Sequence, residues 1–190
     1  VKVGVLCEFS GVVRNAFLRR GHDAVSCDFL PTESDGPHIM GDCLDQDWTG
    51  YDLLICHPPC TYLCNSGVRW LHTKPGRWDL MLAGAQFFRA CLNLPCPKIA
   101  VENPIMHGYA VEIIGRRQDQ IVQPWQFGHG ETKATGLWLK GLHPLQPTRV
   151  VSGRIGKVHR EPPGPDRWKR RSMTYTGIAE AMADQWGAIG

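Results

Sequence analysis

The sequence predicts an α/β protein with a doubly wound, mostly parallel sheet, and three observations carry that prediction. Strand-like runs recur at residues 3–7, 23–28, 52–56 and 98–101, mostly without the alternation of a sheet that faces water on one side. Helical patterns stand between them. Acidic residues close or follow several of the runs, where a doubly wound sheet gathers its ligand-binding loops.

Taken in order, residues 3–7 read as a buried first strand. Residues 12–20 follow as a helix with Phe17 and Leu18 inward, ended by Gly21 in the manner usual for helix C-termini. Residues 23–28 form a second strand, and residues 52–56 a third that stops at Pro58 and Pro59, which cannot donate to a ladder. A long helix is expected over 77–92, where Leu80, Ala83, Gly84, Phe87, Phe88 and Cys91 fall at helical spacing. Residues 98–101 make a fourth strand. Beyond residue 111 the pattern changes, and 120–126 with 137–139 are expected as an antiparallel pair finishing the sheet. A final helix covers about 177–186. The chain reads as a single domain over 1–190, with 140–171 an irregular basic segment rich in Pro, Gly and Arg.

Composition narrows the function classes. Hydrophobic residues are 43% and charged residues 21% of 190, which excludes a disordered or collagen-like chain. No apolar run approaches the roughly 18 residues of a membrane helix, so no membrane partner is expected. The apolar N-terminal stretch is too short for a secretory signal, which points to the cytoplasm. Eight cysteines are present, with Cys7, Cys27, Cys56 and Cys96 in or beside strand-like runs. A domain of this size needs no disulfides for stability, so reduced thiols are expected. The net charge is +3, but residues 140–171 hold nine cations against two acids, a local +7 that leaves −4 for the remainder. Such asymmetry suits a polyanionic partner such as nucleic acid; a solvated basic face is the plainer alternative.

The residues suited to chemistry gather at the strand ends. Glu8-Phe9-Ser10-Gly11 lies between the first strand and its helix, where glycine lets backbone approach a ligand and a helix N-terminus favours negative charge. Asp28 ends the second strand about 20 residues later, a place where a carboxylate can bind ribose hydroxyls. Gly41 and Asp42 precede the run at 52–56. More specific is the string from Asp52 to Cys60, in which Pro58 and Pro59 present Cys60 just past a buried strand. A thiol held there, near helix N-termini, can have a lowered pKa and act as a nucleophile. Glu102, followed by Asn103 and Pro104, stands just past the fourth strand. A carboxyl group near a thiol in a partly dry pocket is suited to holding a proton near neutral pH.

In this order, Phe9-Ser10-Gly11, Asp28, Gly41-Asp42, Pro58-Pro59-Cys60 and Glu102-Asn103 resemble the DNA cytosine-5 methyltransferases over roughly residues 1–140. The resemblance implies a Rossmann-like class I methyltransferase fold and S-adenosylmethionine as cofactor, with no metal. It implies that Cys60 attacks cytosine C6 and that Glu102 bonds the ring N3 and amino group. Phe9, Gly11 and Pro58 would line the cofactor, Asp28 would hold its ribose and Asp42 its adenine. Asn103, Lys133 and Thr135 would fall on the substrate side. The chain departs from the family pattern at Val13, where a second loop glycine is usual, and at Lys133 and Thr135, where the family has two arginines. It also has only about 30 residues where a target-recognition domain normally stands.

Base edges specify sequence and phosphates only position, so little or short-motif sequence preference is expected on DNA. A duplex target must be flipped out at a cost of about a few kcal/mol; single-stranded DNA or a free cytosine nucleotide such as dCMP avoids that. A small modification enzyme of this kind would fit a phage genome and the cytoplasm of a bacterial host. An inactive methyltransferase-like module that binds nucleic acid is the alternative from another class, and Val13 and Thr135 are what such decay would look like. Zinc is weighed at Cys56, Cys60 and Cys64 beside His57, but no second knuckle accompanies them. Trp70, Trp78, Trp125 and Trp138 are expected in packing before base stacking. Asn65 and Arg69 stand in the loop after Cys60, where they are as suited to solvent as to substrate.

Overall fold

The computed structural model describes residues 1–188. Seven strands form one sheet: β1 (Lys2–Leu6), β2 (Asp23–Asp28), β3 (His38–Met40), β4 (Leu53–Cys56), β5 (Lys98–Pro104), β6 (Gln120–Val122) and β7 (Thr135–Lys140). Their order across the sheet is β3-β2-β1-β4-β5-β7-β6. The first five run parallel, while β7 lies antiparallel to both β5 and β6. The chain crosses outward from β1 to β2 and β3, then returns to β4 on the other side of β1, so the switch point falls between β1 and β4. This is the doubly wound α/β architecture that the apolar runs predict.

Both faces of the sheet are covered, as near-continuous apolar strands require. In β4, Leu53 and Ile55 point into one core and Leu54 and Cys56 into the other, the two-residue alternation of a strand. The first core lies under α1 (Val12–Leu18) and α5 (Thr176–Gly187), through Phe17, Ile178, Met182 and Trp186. The second lies under α2 (Arg77–Leu92) and α3 (Gly108–Ile114), through Met81, Phe88, Ala110 and Trp138. Gly4 on β1 must be glycine, because a Cβ there would stand 2.7 Å from Leu54 and 2.8 Å from the Trp48 ring. No helix among the described residues is long and apolar enough to cross a membrane.

Several elements differ from expectation. The strand expected over 120–126 ends at Val122, and Pro124–Gln126 turns away as a short 3-10 helix. β3 and α3 are additional. α3 starts where the His107 ring accepts a hydrogen bond from Ala110 N–H (3.1 Å) and ends at Gly115 in the left-handed region, φ 75°. The basic segment is not wholly irregular: Lys157–Arg160 forms a 3-10 turn and α4 (Arg167–Ser172) a short helix. α4 folds back across the carboxyl edge of the sheet, with Trp168 against Phe9 (ring centroids 5.6 Å apart) and Lys169 paired to Glu33 at 2.8 Å.

Candidate active site

The parallel register of β4 and β5 builds the centre of the site. Cys56 is paired with Val101, so the next residue on each strand, His57 and Glu102, sit side by side at the carboxyl edge. Their side chains meet, His57 Nδ1 to Glu102 Oε2, at 2.8 Å and are about nine-tenths buried. Burial raises the Glu102 carboxyl, but the His57 hydrogen bond and charge, with Lys133 behind them, outweigh it and hold the group below its usual range. Burial lowers the imidazole, yet the Glu102 hydrogen bond and charge, aided by Glu8, leave it above its ordinary value. The expectation of a proton stored on Glu102 near neutral pH is therefore corrected. Glu102 is the carboxylate and His57 carries the proton.

The next step of the chain is held just as firmly. Asn103 is 1% exposed and donates from Nδ2 to Pro58 O at 2.7 Å. That bond fixes the two prolines and presents Cys60, whose carbonyl then accepts from the N–H groups of Leu63 and Cys64 in a tight turn. Cys60 does not have the lowered pKa that its place suggested. A hydrogen bond with Cys64 and burial push its thiol up, while Cys64 is pushed down to about 5 by the same hydrogen bond, against burial, with Ser66 helping. The physical reason is local: Cys60 shares a proton with a nearby, more exposed thiol.

One pocket gathers these groups. Phe9, His57, Pro58, Cys60, Glu102, Asn103 and Lys133 line it, and α4 with the residues after it closes one side through Arg171 and Met173. Lys133 Nζ donates to Met173 O at 3.2 Å, tying that wall to the loop before β7. Three buried polar atoms of lining residues, His57 Nε2, Asn103 Oδ1 and Arg171 Nε, have no hydrogen-bond partner among the described residues. Cys7, also on the lining, holds φ 57°, a left-handed conformation uncommon for a residue with a side chain.

The other expected residues stand apart from this lining. Asp28 ends β2, with Oδ1 accepting from Leu30 N–H at 3.0 Å, and Asp42 follows β3, with Oδ1 accepting from Leu44 N–H at 2.9 Å. Thr135 is buried at the start of β7 and donates from Oγ1 to Lys133 O at 3.2 Å. Gly11 precedes α1 with φ 70°, and a Cβ there would stand 2.2 Å from Ser34 Oγ and 2.4 Å from Arg14 Nη2. The space above Gly11 is thus occupied by the chain itself. Glu8 fills the helix terminus beside it, accepting from the N–H groups of Val13 and Arg14 at 2.6 and 3.1 Å.

Sequence reasoning considered His57 only beside a zinc site and missed its pairing with Glu102. The available signal was a histidine one residue past a buried strand, level with an acid one residue past the next; reading it required the strand register. Of the tryptophans, Trp138 packs on Phe88 in the core, whereas Trp78 is exposed and edge-on to Tyr109. Trp70 lies under Arg69 and Lys74, and Trp125 under Arg154 at 3.8 Å. No group of three or more His, Cys, Asp or Glu side chains among the described residues is placed to hold a metal ion.

No family model matches this chain, and no curated protein does. Among solved structures it is similar to a candidate DNA modification methyltransferase encoded within an E. coli prophage, with 13% identity and a TM-score of 0.50, over 86% of this chain and 55% of that one. An Entamoeba histolytica methyltransferase is also similar, with 14% identity and a TM-score of 0.48, over 80% of this chain and 57% of that one. The chain therefore spans little more than half the length of either. At such identity the likeness is one of fold, and the fold is a Rossmann-like α/β fold of the methyltransferase type.

Proposed function

We propose that this chain is an S-adenosylmethionine-dependent methyltransferase that modifies cytosine at C5 in duplex or single-stranded DNA, with little sequence preference, through a covalent adduct on Cys60. The observation that carries the reading is the convergence of Cys60 and Glu102, from the ends of neighbouring strands, on one pocket of a methyltransferase-type fold.

The residues at the sheet edge fit the adenosine half of that cofactor. Asp28 and Asp42 follow adjacent strands, and Phe29 beside Asp28 leaves 69% of its surface exposed. A ribose diol calls for a carboxylate acceptor, and a purine for a flat apolar face. Phe9 and Pro58 would hold the other half, with Gly11 keeping the loop close. When bound, S-adenosylmethionine supplies an electrophilic methyl group.

The chain's own residues supply the rest. Asn103 anchors Pro58 and so aims Cys60. The Cys60 sulfur bonds to cytosine C6 and makes C5 electron-rich. Once C5 carries the methyl group, it loses its proton to solvent and the sulfur leaves. Lys133 offers positive charge to the substrate side, and Thr135 braces its backbone. A free cytosine nucleotide is the second reading. It is favoured by the wall of residues 171–174 beside the pocket and by basic side chains already engaged, Lys169 with Glu33 and Arg170 with Glu161.

The test is incubation with labelled S-adenosylmethionine and separate pools of duplex DNA, single-stranded DNA and dCMP. Label in a DNA pool supports the first reading, and label in dCMP alone supports the second. With fluorine at C5 the adduct cannot lose its C5 substituent as a proton, so a mass shift should map to Cys60 and vanish in Cys60→Ser. Binding of DNA without label or adduct in any pool would make the chain an inactive module.

A further inference from the structure

We propose that His57 and Asn103 together read the hydrogen-bonding edge of the target base, His57 Nε2–H donating to the ring nitrogen N3 and Asn103 Oδ1 accepting from the exocyclic amino group. This deepens the reading of a cytosine substrate and rests on it. In the related family pattern the carboxylate would meet the base. Here Glu102 Oε2 is already taken by His57, and the imidazole lines the pocket beside it with Nε2 unpaired.

Two orphaned atoms carry the inference. A buried polar atom without a partner costs about 1–3 kcal/mol, and such atoms are rare in native proteins. Here three belong to residues lining one pocket, and two of them, His57 Nε2 and Asn103 Oδ1, stand on neighbouring strands beside the nucleophile, with Arg171 Nε on the facing wall. Their surroundings set their chemistry. His57 Nδ1 lies 2.8 Å from Glu102 Oε2 and carries a proton there; the carboxylates of Glu102 and Glu8 favour the charged ring, and in that form Nε2 is a donor. Asn103 must turn its NH2 toward the Pro58 carbonyl, so the free atom is the oxygen, an acceptor. A donor beside an acceptor complements cytosine, which offers N3 as acceptor and the amino group as donor. Uracil and thymine present the opposite pattern, N3–H and a carbonyl oxygen, and would leave both buried atoms unpaired. Discrimination of that kind is large when the site is dry.

The same donor balances the addition. The Cys60 proton passes to the Cys64 thiolate, and the Cys60 sulfur bonds to C6. The displaced C5=C6 electron pair moves through C4 to N3, which takes the proton from His57 Nε2. When the C5 proton leaves to water and the sulfur–carbon bond breaks, N3 returns its proton to His57, and Cys64 returns the other to Cys60. The groups facing His57 are Glu102 from β5, Glu8 from the end of β1, Lys133 from the loop before β7, and Cys60 and Arg171 across the pocket. The two carboxylates favour the imidazolium and Lys133 opposes it.

The experiment has two arms. The first measures the rate of adduct formation with oligonucleotides carrying 5-fluorocytosine or 5-fluorouracil, across pH. The parent should trap only the cytosine analogue, with a rate that falls at alkaline pH as His57 loses its proton. His57→Gln should slow trapping by about 10²–10⁴-fold and lose that alkaline fall. Glu102→Gln should keep the fall but move it to lower pH, since the carboxylate no longer supports the imidazolium. Trapping by His57→Gln within threefold of the parent, with an unchanged pH profile, overturns the proposal. The second arm follows the His57 Nε2 resonance of the parent by nitrogen NMR while dCMP or dUMP is added. A shift with dCMP and none with dUMP supports the contact, and no shift with either overturns it. If the parent makes no adduct with any analogue, the covalent reading fails, yet the NMR arm still decides whether this edge meets a base.

Discussion

Replacing Arg14, which packs against the loop that follows β2, tests how the carboxyl edge of the sheet is held. Its side chain is fully buried, 0% exposed, with no carboxylate among the described residues paired to the guanidinium. It is solvated instead by the loop that follows β2. Nη1 donates to Ser26 Oγ (3.0 Å), Thr32 Oγ1 (3.2 Å) and Pro37 O (3.3 Å). Nη2 donates to Ser34 O, Ser34 Oγ and Asp35 O, each at 2.9 Å. Burial lowers the guanidinium pKa, with the charges of Glu8 and Asp35 resisting. In Arg14→Met the apolar chain fills much of the space, and several acceptors keep another donor: Pro37 O has Ser26 N–H and Ser34 O has the Thr32 hydroxyl. The net loss is then the Asp35 carbonyl, the bond from Nε to Asn15 Oδ1 (2.9 Å) and the closure of the loop, about 2–3 kcal/mol. For a chain of this size each kcal/mol moves Tm by about 2–4 °C, so a fall of roughly 5–10 °C is expected in a thermal melt. Amide exchange should quicken at Glu33, whose N–H is bonded to Phe9 O at 2.9 Å. Arg14→Lys should recover little, because an ammonium lacks the planar fork that spans these acceptors. A Tm change under 2 °C in Arg14→Met, with Glu33 still protected, would refute the reasoning.

Two further outcomes are expected. Because the Glu102 pKa is depressed, its contribution to stability is present above its ordinary 4.5 and is lost as pH falls through the lower folded value. Because the His57 pKa is raised, its contribution is complete below its ordinary 6.5 and is lost as pH rises through the higher folded value. Urea midpoints should therefore show a gain from this pair that is greatest between those ordinary values and is absent in Glu102→Gln; parallel pH profiles for the two proteins would contradict it. On DNA, affinity should fall with salt by about 0.9 logarithmic units per phosphate contact, and reversing the charges of Lys169, Arg170 and Arg171 should flatten that slope. An unchanged slope would assign α4 to closing the pocket alone.

The sheet was legible wherever the pattern was long. The bounds 77–92 expected for the helix coincide with α2 (Arg77–Leu92), because sixteen residues give several turns of apolar spacing and Gly76 breaks the pattern before them. β3 was not legible, being three residues with Met40 exposed and no apolar alternation to read. α3 hid because its N-cap is a histidine, which does not belong to the usual Ser, Thr, Asp and Asn set. At the site, single residues were legible and relations between them were not. Cys60 and Glu102 can be picked out beside the apolar runs, although the strand expected over 98–101 extends to Pro104 and so contains Glu102. That Glu102 meets His57 depends on the pairing of Cys56 with Val101, a tertiary fact with no local signature. The same limit explains the thiol: helix N-termini were expected to acidify Cys60, but the neighbour that matters is Cys64, four residues on, and the shared hydrogen bond works in the other direction.

The position of the His57–Glu102 pair bears on why it exists. A buried ion pair is weak support for a fold, since two well-packed apolar residues in its place are often as stable. Position 56, one residue earlier on β4, shows the apolar solution: Cys56 is fully buried in the core with Val101 beside it. One residue further along, both strands change to ionisable side chains, at the carboxyl edge where a doubly wound sheet meets its ligands. The change is abrupt, it occurs on both strands at the same register, and it leaves one imidazole nitrogen without a partner among the described residues. Stability alone gives no reason for these three features together. The proposed contact, a donor held ready for an acceptor that arrives with the substrate, accounts for all of them.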